Sequence, residues 1–294
     1  GLQKAGVLFY HARGRPASRD ARPAAARGGR PPRSGTGPTV AVLLAAGKLN
    51  LVCLGDIFHS EAGSGPRRWA AAYGEYLSSW SAHRAMDEEM GLCLAALVLV
   101  LRCKKAYPRF FHCLKGNHDN VANEEGRGDH PFYKFAAEGE MVASWLEAAY
   151  GYEIIARIRA FELGLPLLAL GERFAASHGE PAFELGREEL LEYRSRPDVV
   201  EALIWTPNDG AEELSVQRSL ARLRCGAPGE GERWFGGHRP VDGRYALRAR
   251  GRYVQFHDPA AWRVAYLLPG RDPDPERDIL DIRPARRLVS ADDG

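Results

Sequence analysis

The 294-residue chain predicts an α/β fold. Short apolar runs close on a glycine and then a polar side chain. Longer stretches of helical periodicity separate these runs, and the chain ends in consecutive strands with no helix between them. Strands are predicted over 51–54, 110–114, 166–170, 174–176 and 234–236, each short, apolar and bounded by Gly or polar residues. Helices are predicted over 66–80, 83–106, 131–150, 187–193 and 211–224. Segments 244–249 and 252–257 flank Arg250-Gly251 and predict an antiparallel hairpin, with a further strand over 261–267.

Polar residues follow these strands in a fixed order. Asp56 comes after Leu51-Val52-Cys53-Leu54-Gly55, and Asn117 and His118 after Phe110-Phe111-His112-Cys113-Leu114 and Gly116. His178 comes after Phe174-Ala175-Ala176, and His238 after Trp234-Phe235-Gly236-Gly237. Residues just past the carboxyl ends of strands are where α/β folds gather their sites, and glycine lets the backbone turn sharply there. One carboxylate, one amide and two imidazoles suit a borderline ion such as Mn²⁺, Fe or Zn²⁺, with His118 to spare.

In this order the segments resemble the motifs of the calcineurin-like metallophosphoesterases, in their phosphoprotein-phosphatase branch of bacterial type. LVCLGD resembles the second motif, Tyr107-Pro108 followed by LKGNHDN the third, and FAASHGEP the fourth. LIWTPND resembles the segment between the fourth and fifth motifs, and WFGGHRPV the fifth, so the likeness runs from about Leu51 to Asp258. The resemblance implies a four-layer α/β/β/α sandwich, two mixed sheets flanked by helices. It also implies two divalent metal ions bridged by Asp56, with Asn117, His178 and His238 completing the second sphere. His118, with Asp119 beside it, would be catalytic and protonate the leaving group. The implied reaction is hydrolysis of a phosphoprotein, nucleotide or other phosphomonoester by a metal-activated water.

Three departures stand against the family pattern. No Asp-x-His pair precedes Gly55-Asp56; the only acid there is Asp20 and the only imidazole His11. His59 stands where a carboxylate would orient the catalytic His, and Ser60 where an arginine would hold phosphate. GNHE becomes GNHD at Asp119. One metal sphere is therefore complete, while the other keeps only Asp56. Arg239 is the candidate phosphate-binding replacement for the lost arginine, because a guanidinium meets phosphate through two donors. Arg127, in the loop after GNHDN, is read as a solvated arginine, Trp205 as core, and His130 and His257 as bland.

The chain divides into a segment 1–40, a metallophosphoesterase domain 41–270 and a loosely attached tail 271–294. Residues 1–40 carry eight Lys or Arg against one acid, so the rest holds −5 of the overall charge of +2. Rich in Pro, Gly, Ala and Arg, they read as disordered. They read as the product of a truncated or frame-shifted translation rather than as a basic arm for nucleic acid. The longest apolar run, 92–101, is too short to span a bilayer. Five cysteines without a C-x-x-C pair read as reduced core thiols of a cytoplasmic protein. The partner expected is a phosphorylated substrate, with neither membrane nor nucleic acid. The alternative is a catalytically impaired or truncated phosphatase-fold protein acting as a binding module.

Overall fold

The computed structural model describes residues 7–11, 39–61 and 63–282. Side chains alternate across each strand, so a strand covered on both faces reads as a short continuous apolar run. Strand β1 (Val7–His11), β2 (Leu49–Cys53) and β3 (Phe111–Cys113) join β9 (Arg263–Leu267) and β10 (Ile279–Asp281) in one sheet of order β10-β9-β1-β2-β3. In the second sheet, β4 (Leu168–Leu170), β5 (Phe174–Ser177), β6 (Arg233–Pro240), β7 (Ala246–Arg248) and β8 (Tyr253–His257) run in order β4-β5-β6-β8-β7. Both sheets are mixed: β2 and β3 are parallel, as are β5, β6 and β8, while β1 runs antiparallel to β2 and parallel to β9.

The alternation sorts the core into three layers. Val52, Leu54 and Leu114 of the first sheet meet Phe174, Ala176, Phe235, Val254 and Phe256 of the second. Their sequence neighbours point the other way. Cys53, Phe111 and Cys113 pack under helices α2 (Gly65–Leu77), α3 (Arg84–Ala106), α4 (Glu138–Tyr150) and α5 (Tyr152–Glu162). Ala175, Trp234 and Tyr253 pack under α7 (Pro197–Ile204) and α8 (Ser215–Arg224). Met86, Met90, Cys93, Leu97 and Val100 of α3 recur at alternating spacings of four and three, which keeps them on one buried face. The molecule is thus a four-layer α/β/β/α sandwich. Two shorter helices, α1 (Val40–Ala45) and α6 (Arg187–Leu191), complete the order, with α9 (Pro275–Asp278) before β10.

Several expectations are corrected. Residues 7–11, inside the segment read as unstructured, form β1 between β9 and β2, while 1–6 and 12–38 lie outside the described residues. Residues 271–282 are not loosely attached, because Ile279 is fully buried between the sheets and β10 pairs with β9, while 283–294 lie outside the described residues. Helix α4 starts at Glu138 rather than 131, and α5 and α7 were not foreseen. Only Cys53, Cys93 and Cys113 are buried thiols; Cys103 is half-buried and Cys225, in left-handed conformation, caps α8 in solvent. Among the described residues no helix is long and apolar enough to cross a membrane.

Candidate active site

Two glycines let three segments approach closely. Gly55 has φ +103°, and a Cβ there would run into the backbone of Gly116. A Cβ on Gly116 would meet the Asp56 carboxylate and backbone, and His178 Nδ1 at 2.9 Å. Asp56 itself holds φ 57°, a left-handed conformation uncommon outside glycine, which costs energy and turns the side chain out of strand register. The carboxylate of Asp119 fixes this turn. It accepts from the backbone N–H groups of Asp56 at 3.0 Å, Ile57 at 2.9 Å and Gly116 at 2.8 Å. Asp119 thus has both oxygens committed to the backbone of this turn. Burial, then the nearby Asp56 charge, raises its pKa.

The other four predicted donors converge. His178 donates or accepts at Nδ1 to Leu54; as the Leu54 carbonyl only accepts, Nδ1 carries the proton, at 2.8 Å. His178 Nε2 is then a lone pair, and it faces Asn117 Oδ1 at 2.9 Å, His238 Nδ1 at 3.0 Å and Asp56 Oδ2 at 3.5 Å. The backbone N–H groups of Gly237 and His238 both donate to the His178 carbonyl, at 2.9 and 3.0 Å, which sets β6 in register with this loop. Burial holds the His178 pKa down to about 4. Burial, with His178, Arg239, His257 and Lys134 nearby, holds His238 at about 2. Both rings are neutral at physiological pH, so the Asp56–His178 contact is not an ion pair, and neutral imidazole is the form that ligates metals.

The donor chemistry of these residues suits one divalent ion. Donors about 2.1 Å from a shared tetrahedral or octahedral ion stand roughly 3.0–3.4 Å apart, close to the spacings around His178 Nε2. Among the described residues no group of three or more His, Cys, Asp or Glu side chains is set to hold a metal ion, so the amide of Asn117 would have to be one of the donors. A buried His238 Nε2 with no hydrogen-bond partner among the described residues is a further mark of a site shaped for something other than internal bonding. No second sphere is built from described side chains.

His118 sits beside this set. Its backbone N–H donates to Asp56 Oδ1 at 3.0 Å, and its ring Nδ1 lies 3.7 Å from Asp56 Oδ2. Phe132 stacks on the ring at 4.7 Å, and His59 meets it edge-on, also at 4.7 Å. His59, at φ 88°, is stacked between Trp69 at 5.1 Å and Phe135 at 5.6 Å. Its Nε2 lies 3.2 Å from Glu138 Oε1 and its Nδ1 3.7 Å from Glu61. Glu138, fully buried, also accepts from Lys134 N–H at 2.9 Å and Phe135 N–H at 2.6 Å. Burial opposes its charge, yet these bonds leave its pKa below the ordinary value. Glu61 further pairs with Lys134 Nζ at 2.7 Å and lies 3.7 Å from His257 Nε2. Arg239 is exposed at the end of β6, with no carboxylate against its guanidinium among the described residues.

Sequence reasoning missed Glu61, Lys134, Glu138 and His257, because the contacts that gather them are long-range: Glu61 and Lys134 are 73 positions apart, and His59 and Glu138 79. It also missed the support behind the loop. Lys115, buried, pairs with Asp129 at 2.7 Å and donates to the Asp119 carbonyl. Burial works against its charge, but Asp129 outweighs it and the pKa is raised. Glu162 accepts Val121 N–H at 2.9 Å through Oε2 and leaves Oε1 without a partner among the described residues.

No protein-family model and no curated protein matches this chain. Among solved structures it is similar to a protein serine/threonine phosphatase from Saccharomyces cerevisiae with similarity to human phosphatase PP5. The identity is 15%, the TM-score 0.42, and the match covers 65% of this chain and 65% of that one.

Proposed function

We propose that this chain is a metal-dependent phosphoesterase acting on a phosphoprotein, a nucleotide or another phosphomonoester. The observation that carries the reading is the convergence of Asp56, Asn117 and His238 on the lone pair of a neutral, buried His178, with His118 alongside. Asp56, Asn117, His178 and His238 would hold a divalent ion such as Mn²⁺. The chemistry such an ion supplies when bound is Lewis acidity: more acidic water and compensation of phosphoryl charge. His118 is placed to give a proton to the departing oxygen, its ring fixed between Phe132 and His59. Asp119 holds the Asp56 turn, and Arg239 supplies an exposed positive charge at the end of β6.

Hydrolysis of p-nitrophenyl phosphate is expected to depend on Mn²⁺ and to fall at least a hundredfold in His118→Asn. A rate no faster with Mn²⁺ than with chelator overturns the reading. The second reading, a binding module on the same fold, is favoured by the single complete donor set. Elemental analysis after Mn²⁺ loading separates the two. Two ions per chain, both lost in Asp56→Asn, favour hydrolysis, whereas one ion or none without turnover favours the binding module.

A further inference from the structure

Resting on that reading, we propose that Lys134 is a phosphate-binding residue, a cation supplied from a different segment in place of the arginine absent at position 60. The backbone of Ser60 is committed to structure, and its short side chain carries no positive charge. Its N–H donates to Glu89 at 2.5 Å and its carbonyl accepts from Trp69 Nε1 at 3.2 Å. The positive charge beside it arrives instead through Glu61, which holds Lys134 Nζ at 2.7 Å.

Three features make Lys134 suited to an anion rather than to a surface pair alone. Its backbone is fixed, because Glu138 accepts the N–H groups of both Lys134 and Phe135 and ties that turn to His59, the neighbour of His118. Its side chain is one-third exposed, at 34%, so a ligand from solvent reaches it without unfolding the loop. The ammonium carries three donors, and the contact with Glu61 leaves donors for a phosphoryl oxygen. The same Glu61 lies 3.7 Å from His257 on β8, the strand paired with β6, which carries His238. Through Glu61, Lys134 is thus joined to both His59 and His257, and its charge is near enough to His238 to help lower that pKa. Arg239 approaches from the end of β6, so the two cations come from separate segments.

The test compares wild type, Lys134→Gln and Lys134→Arg, each checked for an unchanged circular dichroism spectrum. Calorimetric titration with inorganic phosphate gives Kd, and p-nitrophenyl phosphate with Mn²⁺ gives KM and kcat. The expected result is a rise of about tenfold in phosphate Kd and in KM for Lys134→Gln, a smaller change in kcat, and partial restoration by Lys134→Arg. A phosphate Kd and KM within twofold of wild type in Lys134→Gln, with wild type active, overturns the role of Lys134 and leaves the phosphoesterase reading standing. A wild type that neither binds phosphate nor hydrolyses the ester overturns both.

Discussion

At the scale of single residues, the site depends on atoms that are missing as much as on those present. A methyl group at Gly116 would occupy space held by the Asp56 carboxylate and by His178 Nδ1, both on fixed backbone. Gly116→Ala is therefore expected to cost about 1–3 kcal/mol in urea denaturation and to abolish Mn²⁺ binding. An unchanged midpoint would contradict this close approach. Glu162 makes a second prediction. Burial, then the Asp119 charge, pushes its pKa well above the ordinary value. Between the unfolded and folded values the unfolded chain has released a proton that the folded chain keeps, so stability falls as pH rises through that window. Glu162→Gln stays neutral and keeps an acceptor for Val121 N–H. Its stability relative to wild type should grow by about 1.4 kcal/mol per pH unit above the ordinary glutamate value, until the folded value is passed. Parallel pH profiles of the denaturation midpoint would rule it out.

At the scale of elements, what was legible in the sequence tracks what is local. Leu51 to Leu54, Phe174 to Ala176 and Trp234 to Gly236 read as strands because they are short apolar runs, and they fall in β2 (as far as Cys53), β5 and β6. The donors past those strands were legible for the same reason. Segment 131–137 reads as the start of a helix, yet the Glu138 carboxylate takes the N–H groups of Lys134 and Phe135 and α4 starts only there. Gly151, at φ +79°, divides α4 from α5. The tail misled through its Asp-Pro steps. Asp274 caps Pro275–Asp278 by accepting from Glu276 N–H, and Asp278, nearly fully buried, collects Arg271 at 2.5 Å and Arg277 at 2.9 Å. Ending the chain at Gly270 should therefore lower the thermal midpoint, since burial of Ile279 alone contributes about 1.5–3 kcal/mol. A midpoint equal to that of the full chain would restore the view of a loose tail.

At the scale of the whole molecule, the donors come from opposite sheets. Asp56 and Asn117 follow β2 and β3 of the first sheet, while His178 follows β5 and His238 lies in β6 of the second. Periodicity places each donor after its strand but carries no information on how two sheets face one another; that relation is set by Val52, Leu54 and Leu114 packing on Phe174, Phe235 and Phe256. An ion held by all four residues, as proposed, would tie the two sheets together and bind only the folded chain. At a free concentration one hundred times its Kd, it stabilises that chain by about 2.7 kcal/mol. Mn²⁺ should accordingly raise the thermal midpoint of wild type, with chelator reversing the rise. His178→Ala removes the imidazole on which the other donors converge, so its midpoint should no longer respond to Mn²⁺. An equal response in His178→Ala would mean that Mn²⁺ binds elsewhere on the surface, and that Asp56, Asn117 and His238 meet only as hydrogen-bonding neighbours.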